Sequence, residues 1–110
     1  MSSVISLKGR IHEYGAQLQH APTELVYIGR AFTMGGWNLP QSKWANPYHV
    51  KHYGRDGALE LYCRYILNSP HLLEALPELA NKTLACWCHP EPCHGHILFH
   101  YIMPALINNY

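Results

Sequence analysis

Charge is scarce in this sequence. Eight Lys or Arg and seven Asp or Glu make up only 14% of the 110 residues, where about 25% is usual, and they cancel to a formal net +1 with the histidines neutral. That balance excludes a polybasic binder of nucleic acid or membrane surfaces and leaves room only for local patches. Disorder is excluded too, because 48% of the residues are hydrophobic. No apolar run approaches the ~20 residues of a membrane span, so no membrane partner is expected. The opening Met1-Ser2-Ser3-Val4 has no basic stretch followed by an apolar one, and no signal peptide is read there. The expectation is a cytoplasmic protein with its four cysteines as free thiols in a reducing compartment.

Other absences narrow the function. There is no G-x-x-x-x-G-K-[ST] phosphate loop and no G-x-G-x-x-G dinucleotide turn. Internal repeats and low-complexity segments are missing as well. What is present is aromatic: eight tyrosines and three tryptophans suit an aromatic-lined pocket or a self-association surface, so a homo-oligomer stands as one of two hypotheses for them. The length fits a single domain, residues 1–110.

Three short apolar runs read as strands: Val4-Ile5-Ser6-Leu7, Leu25-Val26-Tyr27-Ile28 before Gly29, and Thr83 to Cys88. The polar segment from Ile11 to Thr23 reads as loop or a short helix. Leu59, Tyr62, Cys63 and Ile66 recur at helical spacing, which predicts a helix from Gly57 to about Asn68 with Asp56 as its cap. Ser69-Pro70 caps a second, short helix with Pro77 as its kink or stop. Ile97, Leu98, Tyr101 and Ile102 predict a third, ended or interrupted by Pro104. Strands separated by helices imply a small single-domain α/β fold, a partly parallel sheet of few strands with flanking helices. Ligands of such sheets collect at the carboxyl ends of the strands, where Arg30, Cys86 and Cys88 fall.

The chemistry concentrates in Leu84 to His96, which holds three of the four cysteines and three of the nine histidines. On a strand Cys86 and Cys88 share one face and Trp87 takes the other. Helical phasing puts Cys93, His96 and His100 on one side and His94 inward with Ile97, Leu98 and Tyr101. Two site chemistries follow. In the first, Cys93 lies in the opening turn of a helix, where unpaired N–H groups favour a thiolate or an anionic ligand, and His94 donates a hydrogen bond or acts as general acid or base. In the second, Cys86, Cys88 and Cys93 with His96 or His89 hold zinc, the sulfur and imidazole set that tetrahedral zinc prefers. A turn packed by small cysteines and a hydrogen-bonded histidine is the plain structural alternative.

Residues 30–55 form a long irregular stretch, rich in aromatic and basic side chains, that is expected to pack back on the domain as one wall of a site. Arg30 and Ser42-Lys43-Trp44 combine cations, a hydroxyl and an indole, a set that suits an anionic, planar ligand. The alternative is that Trp37 and Trp44 anchor the loop to the core while the basic residues stay solvated.

Val26 to Arg30, Ser42 to Tyr48, Gly54-Arg55, Ala85 to Cys88 and Pro90 to Gly95 together resemble domain of unknown function 4326, a family found in phages, bacteria and fungi. The resemblance covers about residues 25 to 100. It implies that Arg30, Ser42, Lys43, Asn46, Pro47, Arg55, Cys86, Cys88, Cys93 and His94 belong to the family's motif set, and it transfers no activity. His96 stands where the family more often has an acidic residue, which shifts weight from His96 to Cys93-His94. The Pro-x-x-Cys-His corner is also similar to domain of unknown function 488. The expectation is therefore a binder of a nucleotide- or nucleoside-like anion, or an enzyme acting on one. Arg30, Lys43 and Arg55 hold the anion, Ser42, Trp44 and Asn46 complete the site, and Cys93 and His94 supply chemistry. The alternative is a zinc-stabilised, non-catalytic module that binds nucleic acid or protein.

Overall fold

One strand, third in sequence, is paired on both sides. In the computed structural model, which describes residues 3–88 and 91–107, β1 (Ser3–Ser6) and β2 (Leu25–Tyr27) both run parallel to β3 (Thr83–Cys86), giving the order β1-β3-β2. The register sets Val4 and Val26 beside Leu84, and Ile5 and Tyr27 beside Ala85. Alternation then sorts the side chains. Val4, Leu84 and Cys86 join Ile28, Tyr62, Leu98 and Ile102 in one core, while Ala85 joins Leu7, Tyr14, Trp37 and Leu39 in the other. A sheet buried on both faces suits the near-continuous apolar runs of its strands.

The connections supply the covering layers. After β1 comes the single turn α1 (Ile11–Tyr14). After β2 an irregular segment runs to α2 (Val50–Leu67), followed by α3 (Pro70–Ala75) and a 3-10 turn (Leu76–Leu79) before β3. The irregular segment does pack back on the domain. Trp44 is 1% exposed, its carbonyl accepts the Tyr62 hydroxyl at 2.7 Å, and its indole N–H donates to Glu78 at 3.4 Å.

Two helix details differ from the sequence reading. α2 starts earlier than Gly57 and is broken at Gly54, whose φ of 72° and ψ of 166° only glycine adopts cheaply. Gly54, not Asp56, separates the first turn from the long run. Asp56 falls just inside that run, where a carboxylate complements unpaired N–H groups. The last helix is the second case: α4 (His94–Ile97) continues through a π turn (Leu98–Ile102) into α5 (Met103–Ile107), so Pro104 lies inside it. Proline lacks an N–H and crowds the carbonyl four residues back. The wider turn before it, closed by Met103 N–H on Leu98 O, accommodates that demand. Among the described residues no helix is long and apolar enough to cross a membrane.

Candidate functional site

The carboxyl ends of β2 and β3 open on a cavity of about 380 Å³. Its floor is the strand-to-helix corner, with Cys86, Cys88, Cys93 and His94. Arg30 enters from the end of β2, Asn46 from the irregular segment and Arg55 from α2 just beyond the Gly54 break. Phe32 and Trp87 supply an aromatic side, their rings 4.4 Å apart.

Cys93 does not stand in the first turn of the helix, nor on its outer side. It is the capping residue, extended at φ −141° and ψ 174°, and only 2% exposed. Its sulfur faces the backbone N–H of His96 while its own N–H donates to His96 Nδ1 at 3.0 Å, a reciprocal box at the helix start. The Cys86 sulfur lies 3.2 Å away. The Cys86 thiol, helped by the Gly95 and His96 N–H groups, lowers the Cys93 pKa against the opposing effect of burial. Cys88 alone would lower Cys86, but Cys93 and burial outweigh it and raise that thiol. Cys88 is raised strongly, first by Cys86 and then by burial, with Arg55 opposing. Of these three thiols Cys93 is therefore the one that ionises most readily.

His94 reaches the end of β2. Its Nε2 lies 2.6 Å from the Ile28 carbonyl oxygen, which can only accept, so this nitrogen carries the proton and Nδ1 the lone pair. Burial lowers its pKa to about 4, with the Ile28 bond resisting and Arg30 adding to the fall. The imidazole is neutral near pH 7. Gly95 makes this approach feasible, since a Cβ there would stand 3.0 Å from the Ile28 Cδ1 and 3.1 Å from a Val4 methyl.

The two guanidinium groups have no ion-pair partner among the described residues, and none of the residues lining the cavity is acidic. Arg55 Nη1 donates to the Pro92 carbonyl at 2.9 Å, pinning the corner to α2. Asn46 spans Ala58 O at 3.2 Å and Tyr48 N at 2.9 Å, tying the irregular segment to the same helix.

Seven of the predicted residues are thus brought together: Arg30, Asn46, Arg55, Cys86, Cys88, Cys93 and His94. Ser42, Lys43 and Trp44 are not. The Ser42 hydroxyl accepts the Trp44 N–H at 3.1 Å, Lys43 pairs with Glu78 at 2.6 Å, and Trp44 is buried in the core. The indole expected from Trp44 comes instead from Trp87, joined by Phe32. Alternation placed Trp87 on the opposite face from the cysteines, and it does pack there with Trp37 beside Ala85, while also reaching the cavity rim just past the end of the strand at Cys86. Nothing in the sequence singled out Phe32. It is fixed by an isolated bridge to Leu39.

The zinc set is divided between two hollows: Cys86 and Cys88 line the first, His96 lines a second of about 420 Å³ with Asp56 and His100, and Cys93 lines both. The His96 ring stacks on His100 at 5.9 Å. Among the described residues no group of three or more His, Cys, Asp or Glu side chains is arranged to hold a metal ion. His89 lies outside the described residues.

Parallel strands between covering helices, with a cavity at their carboxyl edge, make this a small α/β domain. The chain belongs to the family described as Domain of unknown function (DUF4326), whose profile matches residues 11–103. An uncharacterised protein of Acanthamoeba polyphaga mimivirus is 53% identical over 82 residues, which are 66% of this chain and 62% of that protein. The chain therefore spans less than two thirds of that relative. No solved structure matches it.

Proposed function

We propose that the chain binds an anionic, planar ligand of nucleotide or nucleoside type in the cavity at the carboxyl edge of the sheet. The observation that supports this is one of charge: Arg30 and Arg55 stand on the wall of a cavity of about 380 Å³ that, among the described residues, no acidic side chain lines. A guanidinium without a carboxylate partner favours phosphate or carboxylate, and two of them raise the local concentration of anions. Phe32 and Trp87 offer ring faces to the planar part, in place of Trp44. The volume falls within the usual range of about 300–1,000 Å³ for small-molecule sites.

In an enzymatic version Cys93 is the reacting group, because it is the thiol of the cluster whose pKa is lowered while those of Cys86 and Cys88 are raised. His94, neutral and committed to Ile28, positions the corner and leaves only a weakly basic lone pair for chemistry. Calorimetry with adenosine 5′-monophosphate, adenosine and inorganic phosphate tests the binding. The monophosphate should bind most tightly, and Arg30→Ala or Arg55→Ala should each weaken it about tenfold. Equal affinity of the variants, or no heat with any nucleoside monophosphate, would overturn the reading. Near-stoichiometric zinc in the purified chain, with unfolding on chelation, would replace it by the zinc-stabilised module.

A further inference from the structure

Two thiols meet beneath the cavity. Cys86 ends β3 and Cys93 caps α4, both are buried, and their sulfur atoms lie 3.2 Å apart. A disulfide holds its sulfurs at about 2.0 Å, so an approach of roughly 1.2 Å would join this pair. Burial would normally hide such thiols from reagents. Here both line the cavity, which gives a small molecule a route to them. Cys63, on the α2 side of the core, lines no part of it.

The wall selects what arrives. Arg30 and Arg55 favour a reagent that carries carboxylates. We propose that Cys86 and Cys93 are a dithiol–disulfide couple that exchanges, through this cavity, with a small anionic disulfide of the glutathione disulfide type. The couple depends on the cavity and its arginines, and stands whether or not a nucleotide binds there.

The exchange runs in two displacements. Cys93, as thiolate, attacks one sulfur of the reagent; a Cys93–reagent bond forms, the reagent's own S–S bond breaks, and its other half leaves as a thiolate. With the charge on Cys93 gone, the larger of the two influences that raised Cys86 is removed and only burial still opposes its ionisation. Cys86 gives its proton to solvent, and its sulfur attacks the Cys93 sulfur. The Cys86–Cys93 bond forms and the second half of the reagent leaves. Two electrons pass from two protein thiols to one reagent disulfide, which ends as two thiols after taking up protons. Cys88, held protonated beside Cys86, is a poor nucleophile in either step.

The test treats the full chain with oxidised glutathione and, separately, with neutral 2-hydroxyethyl disulfide, followed by intact mass and peptide mapping. The expected product has lost two hydrogen atoms, links Cys86 to Cys93 and reverts with dithiothreitol. Cys86→Ser should stop at a glutathione adduct on Cys93, whereas Cys88→Ser should still close the same bond. Arg55→Ala should slow the reaction with oxidised glutathione about tenfold and leave the rate with the neutral disulfide within about twofold. Four free thiols after prolonged exposure, or a bond through Cys88 or Cys63 instead, would overturn the couple. Equal slowing with both reagents would overturn the arginine-selected route. Mapping of the unsubstituted chain decides the first point even if a variant fails to fold.

Discussion

His94 donates its Nε2–H to the carbonyl oxygen of Ile28 across 2.6 Å, so the first turn of the last helix is held to the end of β2 by a buried imidazole. Burial lowers the His94 pKa to about 4 from an ordinary 6.5. Between those values the unfolded chain takes up a proton that the folded chain refuses. The contribution is therefore fully present above about pH 6.5 and is lost as pH falls toward about 4, amounting to up to about 3 kcal/mol. Denaturant unfolding of wild type should show that fall, and His94→Asn, less stable at neutral pH, should show a shallower one. Parallel pH profiles would remove His94 as the cause.

Gly95→Ala should destabilise the fold by about 1 kcal/mol, although alanine is the better helix former by a similar amount. The added methyl meets Ile28 Cδ1 at 3.0 Å and the Val4 methyls at 3.1 and 3.2 Å. Ile28→Val removes the first of these atoms, so a double-mutant cycle in urea should show the two changes relieving each other. Strict additivity would mean that the helix is free to move away from the sheet.

Tyr62→Phe should cost about 1–2 kcal/mol, since it deletes a buried 2.7 Å hydrogen bond and strips the Trp44 carbonyl of its side-chain donor. Thermal unfolding reads the loss. An unchanged midpoint would show that the Tyr62 hydroxyl is not among the contacts that hold the irregular segment.

Lys43→Ala should leave ligand affinity unchanged and alter stability by less than about 1 kcal/mol, because its ion pair with Glu78 is half-exposed and away from the cavity. Arg55→Ala is the contrast. Calorimetry on both variants distinguishes them, and a loss of affinity in Lys43→Ala would return Lys43 to the site.

The sheet and its corner were readable because strand alternation is a strict two-residue rule. It put Cys86 and Cys88 on one face, and both pack against the core that contains Cys93. The rule of carboxyl ends likewise brought Arg30 to the cavity. Helical phasing failed where the period changed. With a π turn from Leu98 to Ile102, the inward position after Leu98 falls at Ile102, and Tyr101 turns outward at 65% exposure. Ser42-Lys43-Trp44 misled for another reason. Composition shows which groups an irregular segment contains, but only packing against Tyr62 and Glu78 decides which way they face.

Because β1 and β2 touch β3 and not each other, neither can pair until the chain has been made as far as Thr83–Cys86. Parallel pairing across such sequence separations closes late and slowly. During synthesis the first two strands wait as unpaired apolar segments, exposed to misassociation. When β3 docks, it completes the sheet and delivers Cys86 to Cys93 in the same event, so the thiol pair would serve as a reporter of finished folding.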